Sequence, residues 1–204
     1  MESDGAVKVE GTGKRDYGQT VYDEANFTHA HEYNKEIRAA AQRMVRDGVA
    51  ADEMLDLYYK THLFDAPHFF DSFCIYIEKD RAPEKQFYLP RRKQLLRCVQ
   101  SIQALEDGKL HTLGISLAPG VGKTTIAEFG LAWTSGRNPF LSNLIGSHNN
   151  TFLTGVYGEM LRIFDPVGEY KWGDVFPGLS VIATNAKDLM IGIGYDKADD
   201  MRFK

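Results

Sequence analysis

The amino-acid sequence predicts an α/β protein in which a parallel sheet with flanking helices follows a helical N-terminal segment. Three observations lead there. The apolar run Leu110 to Leu117 precedes a glycine-containing loop and then a helix-periodic stretch, Lys123 to Trp133. A second apolar run, Leu141 to His148, is again followed by a helical stretch. Upstream, helical spacing recurs several times before the first of these runs. Strands alternating with helices are the pattern of a parallel sheet with helical crossovers.

Taken in order, residues 1–27 are rich in Gly, Asp, Glu and Lys without apolar periodicity, and read as a mobile leader. Residues 28–80 form the helical N-terminal segment. In it, Ile37, Ala41, Met44 and Val45 share a helical face, and Asp47-Gly48 supplies a stop. A second helix lies near Asp52 to His62, with Met54, Leu55 and Tyr58 on one side. From His68 to Asp80 the spacing of Phe69, Phe73 and Ile77 favours helix, although the Phe-Cys-Ile-Tyr-Ile core also suits a buried strand. The third unit is 81–204. Pro83 and Pro90 interrupt its start, after which Arg91 to Gly108 reads as a helix with Leu95, Val99 and Ile102 on one face. A helix is expected from Thr151 to Phe164, and the tail after Phe176-Pro177-Gly178 reads as two short strands.

Composition excludes several classes. With 43% hydrophobic and 12% aromatic residues over 204 positions, the chain can build a real core. A net charge of −4 carries no global signature of a nucleic-acid binder, although Arg91, Arg92, Lys93 and Arg97 cluster. Cys74 and Cys98 are too few for a disulfide scaffold or a zinc site, and their apolar neighbours point to buried free thiols. No signal pattern and no apolar stretch of membrane-spanning length is visible, so the expectation is a soluble intracellular protein without a membrane partner.

The chemistry concentrates in Leu117-Ala118-Pro119-Gly120-Val121-Gly122-Lys123-Thr124-Thr125. The run matches the phosphate-loop pattern G-x-x-x-x-G-K-[ST] except that Leu117 stands at its first glycine. Gly120 and Gly122 can take positive φ and let phosphate oxygens approach the backbone. Ala118, Pro119, Gly120, Val121, Gly122, Lys123, Thr124 and Thr125 are the candidate ATP-binding residues, and the successive N–H groups among them make an anion nest at a helix N-terminus. Lys123 is expected to bridge the β- and γ-phosphates of ATP, and the Thr124 hydroxyl to complete the Mg²⁺ shell. These two are the candidate catalytic residues.

Further candidates are weaker. Gln94 can read an adenine edge through its amide, or it is a polar residue on an exposed face. Ser147 and His148 end the second apolar run, within reach of the site or of a nucleic-acid backbone. An acidic residue that holds Mg²⁺ indirectly is not evident: Asp196, Asp199 and Asp200 are the only tail candidates, and the motif is expected beyond Lys204. Arg137 and Arg162 are the arginines that could neutralise charge.

On these residues the chain resembles the N-terminal ATPase region of the large terminase subunit of tailed bacteriophages and prophages. The likeness runs from the FYLPRRKQLLRCVQSIQALEDGKLHTLGISLAPGVGKTTIAEFGLAW stretch through SNLIGSHNNTFLTGVYGEMLRIF and DVFPGLSVIATNAKD, and covers roughly Phe69 to the C-terminus. It implies a P-loop NTPase motor that packages double-stranded viral DNA into a procapsid, working with a portal protein and a small terminase subunit, as a homo-oligomer in the bacterial host cytoplasm. It assigns Lys123 and Thr124 to the phosphates and Mg²⁺, and Gln94 to the adenine. Acidic, coupling and nuclease motifs have no counterpart, so the chain is expected to be a truncated piece that binds ATP with little or no turnover. A superfamily-2 helicase or translocase fragment and a non-hydrolysing nucleotide-binding module are the alternatives.

Overall fold

A computed structural model describes residues 24–48 and 51–195. Residues 1–23 of the leader expected over 1–27 lie outside the described residues, as do Asp196, Asp199 and Asp200; residues 24–27 already belong to the first helix. The elements run α1 (Glu24–Arg46), α2 (Ala51–Asp65), α3 (Phe70–Tyr76), a 3₁₀ turn (Pro83–Lys85), α4 (Tyr88–Glu106), α5 (Lys123–Arg137), α6 (Asn150–Phe164), α7 (Trp172–Val175), β1 (Leu179–Asn185) and β2 (Met190–Tyr195). Each helix packs on its neighbour in sequence from α1 to α4. Both α3 and α4 contact α5, and α5 contacts α6, which touches α7 and β2.

The helical spacing explains the core. Along α4, Leu95, Val99 and Ile102 are buried, and along α5 so are Ile126, Phe129, Gly130 and Trp133, the faces read from the sequence. Two indoles lock this core without leaving a donor stranded. Trp133 Nε1 donates to the Ala66 carbonyl at 2.9 Å, and Trp172 Nε1 donates to the Ala132 carbonyl at 2.9 Å. The Phe70 ring centroid lies 5.2 Å from that of Trp133, and Trp172 lies 5.4 Å from Phe176. Truncating an aromatic in such a site costs about 3–5 kcal/mol.

The N-terminal pair is tied by a buried carboxylate. Asp65, fully buried at the end of α2, receives Arg38, His31 Nδ1 at 2.8 Å and Asn34 Nδ2 at 3.3 Å, all from α1. On α1 itself Ala41 is buried, whereas Met44 and Val45 stand 37% and 41% exposed, so the expected apolar face is covered only in part. The ambiguous stretch from His68 is helical, in the short form of α3 with Ile77 as its C-cap. Cys74 and Cys98 are buried free thiols, as read from their apolar neighbours.

The parallel sheet is the main correction. Among the described residues the only sheet is two-stranded and antiparallel: β1 pairs with β2 from Leu179↔Tyr195 to Asn185↔Met190, with an irregularity between Val181 and Ala183. These are the two short strands expected in the tail. The apolar runs 110–117 and 141–148 form no strand. Their composition suits a strand, but a strand exists only when a neighbour accepts its backbone hydrogen bonds, and among the described residues none pairs with them. In the second run Leu144 is 96% exposed and Leu141 63%, and in the first only Leu113 and Leu117 pack, half-buried, against the core, so neither run forms its centre. Helix-on-helix packing around α5 does, and the protein is mostly helical.

Candidate functional site

The loop before α5 has the backbone that the motif requires. Gly120 has φ +79° and Gly122 φ +103°, conformations that favour glycine. Gly122 is the N-cap of α5 and contributes no side-chain cap. A helix begins with N–H groups that have no intrahelical acceptor. Here those of Lys123, Thr124 and Thr125 find no backbone acceptor among the described residues, and the first such bond runs from Ile126 N–H to the Gly122 carbonyl at 3.1 Å. Lys123 Nζ turns back and donates to the Leu117 carbonyl at 2.9 Å, which holds the ammonium at the mouth of the loop. Ala118, Pro119, Gly120, Lys123 and Thr124 are exposed, while Val121, Gly122 and Thr125 are half-buried. Local geometry thus satisfies the loop-then-helix half of the motif, and the strand that should precede it does not form.

The loop is braced by α4. Gly122 lies so close to the Phe87 ring that a Cβ there would collide with Phe87 Cε2 and Cζ. Phe87 in turn makes an edge contact to Phe129 of α5 with centroids 5.8 Å apart, and Phe129 does the same to Tyr170 at 5.9 Å. A buried carboxylate holds Phe87 in place. Glu78, 2% exposed, accepts from the Phe87 N–H at 2.9 and 3.0 Å and from the Tyr88 N–H at 2.8 Å, and so caps the start of α4. Arg81 Nη1 donates to the same carboxylate at 2.8 Å.

An open cavity of about 530 Å³ lies between the first turn of α5 and this brace. Thr124, Thr125 and Glu128 form one wall, Gln86, Phe87 and Arg91 another, and Glu159 and Tyr170 contribute from the far side. Most of the charged groups here are engaged. Arg81 also reaches the Tyr170 hydroxyl at 2.8 Å and Glu169 at 3.4 Å, and Lys85 donates to Glu169 at 2.9 Å. Glu159 accepts from the Tyr170 hydroxyl at 2.8 Å and from Arg162 at 2.9 Å. The Arg91 guanidinium sits 5.3 Å from the Phe87 ring centroid and donates to the Phe87 carbonyl at 3.2 Å. Glu128 is only 7% exposed, and burial together with the negative charge of Glu159 pushes its carboxyl up to about 7.

Several expected residues fall elsewhere. Gln94 is exposed on α4 and does not line the cavity. Gln86 does line it, but its amide nitrogen is spent on the Glu78 and Arg81 carbonyls at 3.4 and 3.2 Å. The Ser147 hydroxyl accepts from the Asn149 N–H at 3.2 Å, beside the residue that caps α6, and His148 is exposed away from the cavity. Arg137 pairs with Glu106 at 3.5 Å and stacks on Trp133 at 4.5 Å, and Arg162 is held by Glu159. Arg92 forms a two-point pair with Asp71 at 2.8 and 2.9 Å, so it serves the fold. Sequence reasoning missed Glu128, Phe87 and Glu78. For Glu128 a signal existed: it follows Thr124 by one helical turn, a charged residue set among the apolar positions of an amphipathic helix.

Among the described residues no group of three or more His, Cys, Asp or Glu side chains could hold a metal ion, and no helix is long and apolar enough to cross a membrane. No protein-family model matches the chain, and neither a curated protein nor a solved structure does so.

Proposed function

We propose that the chain binds ATP with Mg²⁺ at residues 118–125 and is the ATP-binding part of a viral DNA-packaging motor of the terminase type. One observation carries the nucleotide part: the start of α5, where two glycines at positive φ precede three N–H groups without backbone acceptors and a lysine ammonium held beside them. Such an end attracts an anion through its free donors and its helix dipole. The adjoining cavity leaves room for the rest of a nucleotide.

In this reading the loop N–H groups hold the phosphates, and Lys123 leaves the Leu117 carbonyl to bridge them. The Thr124 hydroxyl, exposed in the first turn, would hold Mg²⁺ in the manner of phosphate loops, with phosphate oxygens and water as the other ligands. When bound, the ion neutralises phosphate charge. The motor part rests on the sequence resemblance from Phe69 onward. With it come double-stranded viral DNA, the portal protein, a small terminase subunit, homo-oligomeric assembly and a place in the host cytoplasm. The expected behaviour of the chain alone is binding with little turnover.

Titration calorimetry with ATP–Mg²⁺ tests this. Lys123→Ala removes a charge-assisted contact of about 1.5–3 kcal/mol, so affinity should fall roughly tenfold or more. Equal affinity in both proteins would remove Lys123 from the phosphate site. Turnover in the range of about 1–100 s⁻¹ would overturn the expectation of binding without efficient hydrolysis.

A further inference from the structure

Glu128 differs from the other charged groups around the cavity. Among the described residues no hydrogen bond or ion pair reaches its carboxyl group, although the residue is 93% buried by its 7% exposure and lines the cavity. A carboxyl group that no protein group engages and that opens onto a cavity is available to hydrogen-bond a ligand there. Its neighbours are not: Arg81 and Lys85 are committed to Glu78 and Glu169, and Glu159 to Arg162 and Tyr170.

Placement says which part of a ligand arrives there. Glu128 lies four residues, about 6 Å of helix rise, beyond Thr124 on the same face. A nucleotide whose phosphates sit at the start of α5 therefore runs past Glu128 with its nucleoside end. Above pH 7 the carboxyl is ionised and only accepts, so phosphate oxygens, themselves negative acceptors, have no favourable contact with it. The nucleoside carries the donors: ribose hydroxyls and the exocyclic amine of the base. Phe87 with Arg91 over its ring forms the opposite wall, a flat aromatic and cationic surface of the kind on which bases stack.

We propose that Glu128 selects the nucleoside, its carboxyl group accepting a hydrogen bond from a ribose hydroxyl or from the exocyclic amine of the base. The proposal rests on the nucleotide reading given above, and its test separates the two. Binding of ATP, 2′-deoxy-ATP, 3′-deoxy-ATP and purine riboside triphosphate, each with Mg²⁺, is measured on the full chain. The proteins are the wild type, Glu128→Gln, Glu128→Ala and Lys123→Ala, with circular dichroism as the check on folding.

The wild type should prefer ATP roughly tenfold over the analogue that lacks the donor Glu128 meets, in line with the loss of one hydrogen bond to a charged group. A penalty confined to the deoxy analogues assigns the ribose, and one confined to purine riboside triphosphate assigns the amine. Glu128→Ala should bring that ratio to within about twofold while ATP binding still depends on Lys123. An unchanged ratio in Glu128→Ala and Glu128→Gln, or a wild type that treats all four ligands alike, overturns the role of Glu128 and leaves the phosphate loop standing. A wild type that binds none of them overturns both readings.

Discussion

Replacing Glu128 by glutamine removes a titration that the fold opposes. The carboxyl titrates near 4.5 in an unstructured chain and is pushed up to about 7 in the folded protein, first by burial and then by Glu159. Below pH 4.5 the acid is protonated in both states, and glutamine is a close match in size, so the two proteins should be nearly equal in stability. Between pH 4.5 and 7 the unfolded chain releases its proton while the folded protein retains it, so wild-type stability falls as pH rises. Above pH 7 the folded protein carries the charge at full cost. A displacement of about 2.5 units at about 1.36 kcal/mol each amounts to roughly 3 kcal/mol in favour of Glu128→Gln at pH 8. That figure is a ceiling, because Glu128 borders an open cavity and Glu159 can shift away. Urea unfolding followed by tryptophan fluorescence suits the measurement, since Trp133 and Trp172 are buried. Titrating groups that do not interact with Glu128 cancel in the difference between the proteins, and Glu159 is the one that does interact. A gap that widens from pH 5 to pH 8 supports the reasoning, and parallel profiles would refute it.

Two further substitutions test the brace around the phosphate loop. Gly122→Ala puts a Cβ at φ +103° and into the Phe87 ring, so a stability loss of at least about 1–3 kcal/mol is expected, partly recovered in a Phe87→Ala background. Stability unchanged within about half a kcal/mol would mean that the loop is not held against α4. Glu78→Ala strands the Phe87 and Tyr88 N–H groups and leaves Arg81 only Tyr170 and Glu169, and should cost about 3–5 kcal/mol in thermal or denaturant unfolding. A loss under about 1 kcal/mol would show that water replaces the carboxylate at that helix end.

The reading from sequence succeeded where a physical rule acts over one or two turns of chain. Ile126, Phe129, Gly130 and Trp133 declare a buried face because helical spacing alone brings them together. Gly120 and Gly122 before Lys123 declare a loop with positive φ entering a helix. It failed for the apolar runs 110–117 and 141–148, since an apolar run says that a segment can be a strand and not that a neighbour will pair with it. For Gln94 it left two readings, an adenine contact or a polar residue on an exposed face, and the helical register of α4 puts that residue at the surface.

By itself, the sequence determined the local devices of this protein: the amphipathic helices, the glycine loop at the start of α5 and the lysine and threonine that follow it. Only tertiary structure decided that Phe87 braces Gly122, that Glu78, ten residues before Tyr88, folds back to cap α4, and that Glu128 faces the cavity without a partner. Those three depend on which helix packs against which. Spacing along a chain fixes the face a helix presents, but its neighbour is chosen by side-chain packing across distant segments, and no local pattern records that choice.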